Sequence, residues 1–375
     1  MRSYLDHAST SPTRASAINA MTEWFAGIGG DPSRIYAEGM QSRVELEVAR
    51  EQVAEFLGAR PREVIFTSGA TESIAAASFG AVQRAVSRTG SRESHVVYSA
   101  VEHSAVREWA QRNDHTQVGV DPLGRVDPAE LLGAITAKTS LVHLQWGNHE
   151  VGTLQPVSEV AEGCRDLDLL LHVDAAQAVG RVKLNFASLG ADLMSVCAHK
   201  FGGPPGVGAL LIRKGLRIEP LLVGGEQERA RRGGMENLLA ILGFAAAAQE
   251  CGRTLAQESE LSRAQTEHII QWAAQFPGVE VLGDPVGRLP HIVCLRLEGL
   301  EPQPVLLGLD QAGIAVHSGN SCSSESLEPS PILQAMGVDA AHSLRISVGW
   351  NTLSSDIDHL LVTLAQVIAD LRQLR

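Results

Sequence analysis

The stretch Asp192-Leu193-Met194-Ser195-Val196-Cys197-Ala198-His199-Lys200-Phe201-Gly202-Gly203-Pro204-Pro205-Gly206-Val207-Gly208-Ala209-Leu210-Leu211-Ile212 decides the fold. An apolar run of strand type stops at His199-Lys200, a glycine- and proline-rich turn follows, and a second apolar run closes the segment. Glycine has no Cβ, so backbone in such a turn can lie close to a ligand. Lys200 stands at the edge of that turn. A lysine amine there can form a Schiff base with a carbonyl cofactor once its surroundings lower its pKa. Taken alone, Lys200 reads as a solvated lysine at a strand end, as most lysines are.

Upstream, Leu171-His172-Val173-Asp174-Ala175-Ala176-Gln177 is a second strand of buried type that ends in an acid. Asp174 alone reads as a helix N-cap. The pair says more. Pyridoxal phosphate needs a lysine for its aldehyde and a carboxylate to keep its ring nitrogen protonated, so that the ring is an electron sink. Strand ends of a parallel sheet open on one edge, where ligands bind. Asp174 and Lys200 at successive strand ends therefore predict a pyridoxal phosphate site. Ser68-Gly69-Ala70-Thr71-Glu72 joins a strand at 63–67 to an alanine-rich helix. That helix start offers free N–H groups and a positive dipole end to a phosphate, with the Thr71 hydroxyl beside them, and it reads equally well as a plain N-cap with no ligand.

The 375 residues suffice for a large core and two domains. Apolar residues make up 44% and charged residues 20%, which places the chain among globular enzymes. A net charge of −12 argues against a surface dedicated to nucleic acid or anionic membrane, leaving only a local basic patch at 229–232. The N-terminus carries no apolar signal region, and no apolar run is long enough to span a bilayer, so the cytoplasm is the expected compartment. The five cysteines are scattered without a C-x-x-C, which argues against a zinc site or a disulfide framework.

In chain order, strands alternate with helices up to residue 212, which predicts a mostly parallel sheet covered by helices on both faces. The segment 41–57 has apolar Val44, Val48, Val53 and Leu57 between charges, an amphipathic helix pattern. The loop 223–237 is too polar and glycine-rich for a core. A long helix at 238–275 is expected to break near Cys251-Gly252. Shorter units follow from 279. The expected class is α/β, with residues 13–250 as a large domain holding the sheet. Residues 1–12 and 251–375 would form a smaller α+β domain.

These residues resemble the cysteine desulfurases of the class V aminotransferase superfamily, the group typified by nitrogenase and iron–sulfur cluster assembly desulfurases. The likeness runs end to end. It rests on Tyr4-Leu5-Asp6-His7-Ala8-Ser9-Thr10-Ser11-Pro12, Phe66-Thr67-Ser68-Gly69-Ala70-Thr71-Glu72, Val101-Glu102-His103 and Asn148-His149-Glu150-Val151-Gly152. It continues through His172 to Gln177, Ala198-His199-Lys200, Gln227-Glu228-Arg229 and Ser318-Gly319-Asn320-Ser321-Cys322-Ser323-Ser324. The resemblance implies a homodimeric pyridoxal phosphate enzyme of fold type I. It would take sulfur from L-cysteine, leave L-alanine and hand the sulfur to an acceptor protein. Lys200 would bind the cofactor aldehyde, Asp174 would face the ring nitrogen, Gln177 the phenolic oxygen, and His103 would stack on the ring and help move protons. Ala70, Thr71 and His199 would hold the phosphate, and Arg345 the substrate carboxylate. Cys322 would receive the sulfur as a persulfide, in a polar glycine- and serine-containing loop suited to a reactive thiol.

Four positions depart from the family. His149 stands for an asparagine near the ring and substrate, and Cys197 for a phosphate-binding serine. Met235 stands for a threonine reaching over from the partner subunit, and Asp31 for an asparagine. They predict weaker phosphate retention or an altered pocket. The chain also stops soon after its last helix, where relatives that feed a cluster scaffold often have a longer tail. An aminotransferase or carbon–sulfur lyase keeps the cofactor and makes Cys322 secondary. A non-catalytic scaffold is opposed by intact Lys200 and Asp174.

Overall fold

Twelve strands are found among the residues that the computed structural model describes, which are 2–27, 29–91, 93–318 and 329–374. They are β1 (Ser3–Tyr4), β2 (Val64–Thr67), β3 (His95–Ser99), β4 (Asp114–Val118), β5 (Thr139–Gln145), β6 (Leu170–Asp174), β7 (Leu193–Cys197), β8 (Gly208–Ile212), β9 (Val279–Leu282), β10 (Ile292–Leu297), β11 (Ile314–Ala315) and β12 (Ser343–Ser347). Seven form one sheet in the order β2-β8-β7-β6-β5-β3-β4. The pairs β4–β3, β3–β5, β5–β6 and β6–β7 are parallel, whereas β8 runs antiparallel to β7 and β2. The central strands are buried on both faces because both are covered, as in parallel sheets generally, and among their polar side chains His143, His172 and Ser195 bond to one another. Met194 and Val196 of β7 enter the largest core, whereas Leu193 packs with Ala77 and Ala81 of the helix Ala70–Thr89 on the other face.

This topology sets the site's edge. Asp174 ends β6, and β7 lies beside β6 in parallel, so the Lys200 turn emerges next to Asp174. The turn is closed by β8, with Cys197 paired to Gly208. Two glycines bring the helix Ala70–Thr89 up against it. A Cβ on Gly208 would stand 2.4 Å from Val196 O and 2.7 Å from Gly69 Cα. Gly69, the helix N-cap, has φ 155° and ψ −178°, a backbone region essentially reserved for glycine.

Residues 279–348 add a three-stranded antiparallel sheet, β12-β10-β9. Its core takes in Val293, Leu295, Leu344 and Ile346 with Leu5 and the helix Ser354–Gln373. The N-terminus is woven into this part: β1 pairs in parallel with β11, and Ser347 N donates to Leu5 O at 2.8 Å. Among the described residues, no helix is long and apolar enough to cross a membrane.

Three expectations need correction. The helix Leu238–Gln275 runs unbroken through Cys251-Gly252. A single glycine inside a helix costs only about 1 kcal/mol, and the buried Cys251 anchors the turn by donating to Gly180 O at 3.7 Å. The pattern at 41–57 is not one apolar face. In the helix Ala37–Phe56, Leu46, Ala49 and Val53 are buried, as is Leu57 just beyond it, while Val44 and Val48 are 63% and 45% exposed. The loop 223–237 contains the short helix Gln227–Ala230, and its Glu228 is buried against Arg50. Polar neighbours in sequence hid an acid whose partner lies 178 positions away.

Candidate active site

A cavity of about 450 Å³ opens at the C-terminal edge of β5, β6 and β7, between the Lys200 turn and the start of the helix Ala70–Thr89. Ala70, Thr71, His103, His149, Asp174, Gln177, Cys197, His199, Lys200 and Arg345 all line it. Residues more than 270 positions apart in sequence thus share one wall.

Lys200 Nζ donates to the carbonyls of Ala8 and Ser9, the latter at 2.9 Å. Burial lowers its pKa, with Arg345 acting in the same direction. Asp174 Oδ1 accepts from Ala176 N at 3.0 Å, while burial raises its pKa. No helix follows Asp174 directly, so the helix N-cap reading fails: the carboxylate caps a turn at 175–180 and lines the cavity. Gln177 Nε2 donates to Ala8 O at 2.8 Å. His199 meets Thr10 Oγ1 at 3.1 Å, and burial, helped by Lys200, brings its pKa down to about 4. Burial pushes the Cys197 thiol up to about 12, so it stays protonated.

The first turn of Ala70–Thr89 leaves the N–H groups of Ala70, Thr71 and Glu72 without helical partners. Glu72 itself is turned aside, accepting from Ser68 N at 2.8 Å and pairing with Arg232 at 2.9 Å. The helix end therefore remains an anion cradle.

His103 is the N-cap of the helix Ser104–Ala110, and its Nδ1 accepts from Ala105 N at 3.1 Å. Burial lowers its pKa, so the neutral ring carries its proton on Nε2. Its ring meets His149 edge-on at 5.2 Å. Burial holds His149 well below its usual range, and its Nε2 is buried with no hydrogen-bond partner. Arg345, fully buried, donates through Nη2 to Asp6 Oδ1 at 2.9 Å and Ser9 Oγ at 2.7 Å, and through Nη1 to His149 O at 2.9 Å. Its Nε has no partner. The arrangement offers a nucleophilic amine, a buried acid, an anion cradle and a guanidinium with a spare donor.

A family model for aminotransferase class-V matches residues 3–360. The chain belongs to that family. Among class-V relatives, the cysteine desulfurase IscS of Methanosarcina thermophila is 36% identical over 379 aligned residues, covering 99% of this chain and 93% of that protein. The cysteine desulfurase IscS of Dictyoglomus turgidum is 38% identical, over 98% of this chain and 95% of that one. Among solved structures, a NifS-like protein superposes with a TM-score of 0.91 at 29% identity, over 99% of this chain and all of the other. A structure of SspA in complex with cysteine gives a TM-score of 0.82 at 26% identity, over 92% of this chain and 98% of that one.

Cys322 lies outside the described residues. Of the family departures, His149 and Cys197 are in the cavity, whereas Met235 is 67% exposed beside a neighbouring hollow of about 170 Å³. Asp31 is engaged with Ser33 and Arg34. The class-V pattern at 4–12 had no assigned job in the sequence. Its backbone proves central, since the Ala8 and Ser9 carbonyls hold Lys200 and Gln177. Glu102 was also unassigned. It is fully buried, accepts from Gln145 N at 2.7 Å, and burial raises its pKa well above the usual range.

Proposed function

We propose that this chain is a pyridoxal-phosphate-dependent cysteine desulfurase. It converts L-cysteine to L-alanine and passes the sulfur to Cys322. The observation that carries the reading is the convergence of Lys200, Asp174, Arg345 and the open start of Ala70–Thr89 in one cavity. The residues fit the cofactor on chemical grounds. The Lys200 amine has a lowered pKa, and Asp174 is an acid whose pKa burial raises, so a protonated ring nitrogen beside it would favour its ionised form.

Lys200 would hold the cofactor by its aldehyde and Asp174 would face the ring nitrogen. Gln177 and His103 would bound the ring, and Ala70, Thr71, Cys197 and His199 the phosphate. When bound, pyridoxal phosphate supplies an electron sink. Arg345 holds the substrate carboxylate, for which a guanidinium fork suits, and its unpartnered Nε is the spare donor. Once free of the cofactor, Lys200 Nζ takes and returns the proton at the substrate carbon, because burial lowers its pKa. His103 Nδ1 is engaged with Ala105 N, so His103 orients through Nε2–H. His149, neutral and adjacent, borders the substrate. In the sulfur step the substrate C–S bond breaks and an S–S bond forms on Cys322. The balance is L-cysteine plus the Cys322 thiol giving L-alanine plus the Cys322 persulfide, which an acceptor protein discharges.

The reading includes a homodimer and two domains. A second copy has a face to cover: Met40, Val44 and Val48 form an exposed apolar stripe on Ala37–Phe56, beside exposed Ile35 and Tyr36. The domain division at 13–250, with 1–12 and 251–375 apart, is supported by two apolar clusters. One spans Ala17 to Cys251, and the other joins Leu5 to 269–368.

The test is a single turnover of L-cysteine by wild type and Cys322→Ser, with alanine, reducible sulfur and the visible spectrum followed together. The wild type should be yellow, yield alanine and gain one reducible sulfur per chain, while the variant stalls. A variant that makes product as fast as wild type overturns the persulfide and leaves a lyase or aminotransferase.

A further inference from the structure

A second, roomier cavity lies apart from the one just discussed. A groove of about 930 Å³ runs between the C-terminal end of Ala37–Phe56, the segment 179–184 and the middle of Leu238–Gln275. Gly252, the glycine that fails to break that helix, lies in its wall. A Cβ there would stand 3.3 Å from the Phe56 ring. A mid-helix glycine is unfavourable by about 1 kcal/mol, and here its missing side chain leaves the groove open.

The wall has two characters. Phe56, Leu184 and Leu255 supply an apolar strip. Arg181, Lys183, Arg253 and Arg263 supply four cations, against the two carboxylates of Glu55 and Glu260. None of these six charged groups has an ion-pair partner among the described residues. A local excess of positive charge stands out on a chain of net charge −12. Arg181 is built into the wall: it is 4% exposed, its Nη2 donates to Lys200 O at 2.9 Å and Ser11 Oγ at 3.1 Å, and its Nε has no partner. The size suits a small organic molecule.

We infer that this groove binds an amphipathic organic anion. An alkyl or aryl body would lie along Phe56, Leu184 and Leu255, and an acidic head would lie among Lys183, Arg253 and Arg263. Unpaired cations bordering an apolar strip favour that ligand over a neutral or cationic one, because only an anion neutralises them as it buries apolar surface. The groove touches the active site through the Arg181 bond to the Lys200 backbone, and anion binding there does not depend on the proposed reaction.

The probes are sodium dodecanoate and dodecyltrimethylammonium, which share a chain and differ in charge. Each is titrated calorimetrically into the holoenzyme below its micelle concentration. Dodecanoate should bind at one site per chain, at least tenfold tighter than the cation. Arg253→Glu with Arg263→Glu should weaken dodecanoate at least tenfold and reverse the preference. Gly252→Leu, which fills the groove and favours helix, should weaken both probes and keeps the test alive should the charge-reversed variant misfold. Equal affinity for the two probes would overturn the inference, as would variants that bind dodecanoate like wild type. A change of oligomeric state in Arg253→Glu/Arg263→Glu by sedimentation would also overturn it, since the groove would then be covered by a second copy.

Discussion

Arg50 and Arg345 are buried alike, at 1% and 0% exposure, and are held differently. Arg50 is closed. It grips Glu228 with two bonds of 2.7 Å, reaches Val64 O at 3.0 Å and Glu47 at 3.1 Å, and Glu228 also accepts from Phe66 N. Arg345 is open: Nη2 serves both Asp6 and Ser9, Nη1 goes to the His149 carbonyl, and Nε is left bare. A buried guanidinium with all three nitrogens bonded ties structure together. One that keeps a donor spare, in a cavity wall, is poised for an incoming carboxylate.

The largest effect expected from this contrast is on stability. Glu228→Ala strands Arg50 and should lower the unfolding free energy in urea by about 3–5 kcal/mol, whereas Arg50→Met with Glu228→Met should cost far less. Two equal losses would mean that Glu228 contributes by packing alone. Next, Arg345→Lys keeps the charge and loses the fork. It should cut kcat/KM for L-cysteine about a hundredfold, roughly 2.7 kcal/mol, with a urea midpoint closer to wild type than that of Glu228→Ala. A large midpoint shift with unchanged kcat/KM would make Arg345 a second Arg50.

The third test uses acid. Burial keeps His149 neutral in the folded chain, while the unfolded chain protonates it below about pH 6.5. The unfolded state then binds the extra proton, so stability rises with pH in that range and is lost as pH falls below 6.5. Replacing His149 by Asn should flatten this fall by about 1.4 kcal/mol per pH unit, read from urea midpoints between pH 5 and 6.5. An unchanged slope would mean that His149 is charged beside Arg345. The smallest effect is at Asp6, whose carboxylate competes with the substrate's for Arg345. Asp6→Asn should lower KM for L-cysteine a few-fold with kcat within about twofold. A higher KM would show that Asp6 aims Arg345 instead.

Lys200, Asp174 and the Ser68–Glu72 junction were legible in the sequence because their chemistry is carried by side chains at strand ends, where a parallel sheet must open. Arg345 was legible through its apolar strand neighbours. What the sequence hid has a physical cause in each instance. The carbonyls of Ala8 and Ser9 belong to no residue type, so nothing in their letters marks them. Glu228 sits among glycines and charges, and only the fold brings Arg50 to it. Val44 and Val48 match helical spacing as well as the buried residues do, since a helix with two apolar faces looks like one face in a short window. Gly252 looks like a break because the sequence does not show that both sides of it are anchored.

The weaving of the N-terminus has a further consequence, for synthesis. Lys200, Gln177 and Arg345 are all held by residues 6–9, which are fixed in turn by Ser347 of β12, while the preceding β1 pairs with β11. At about 5–20 residues per second, some 340 further residues take roughly 17–70 s to emerge. During that interval the large sheet can form on the ribosome while the first nine residues wait without their strand. The cavity is thus a late product of translation, completed only when the beginning of the chain meets its end.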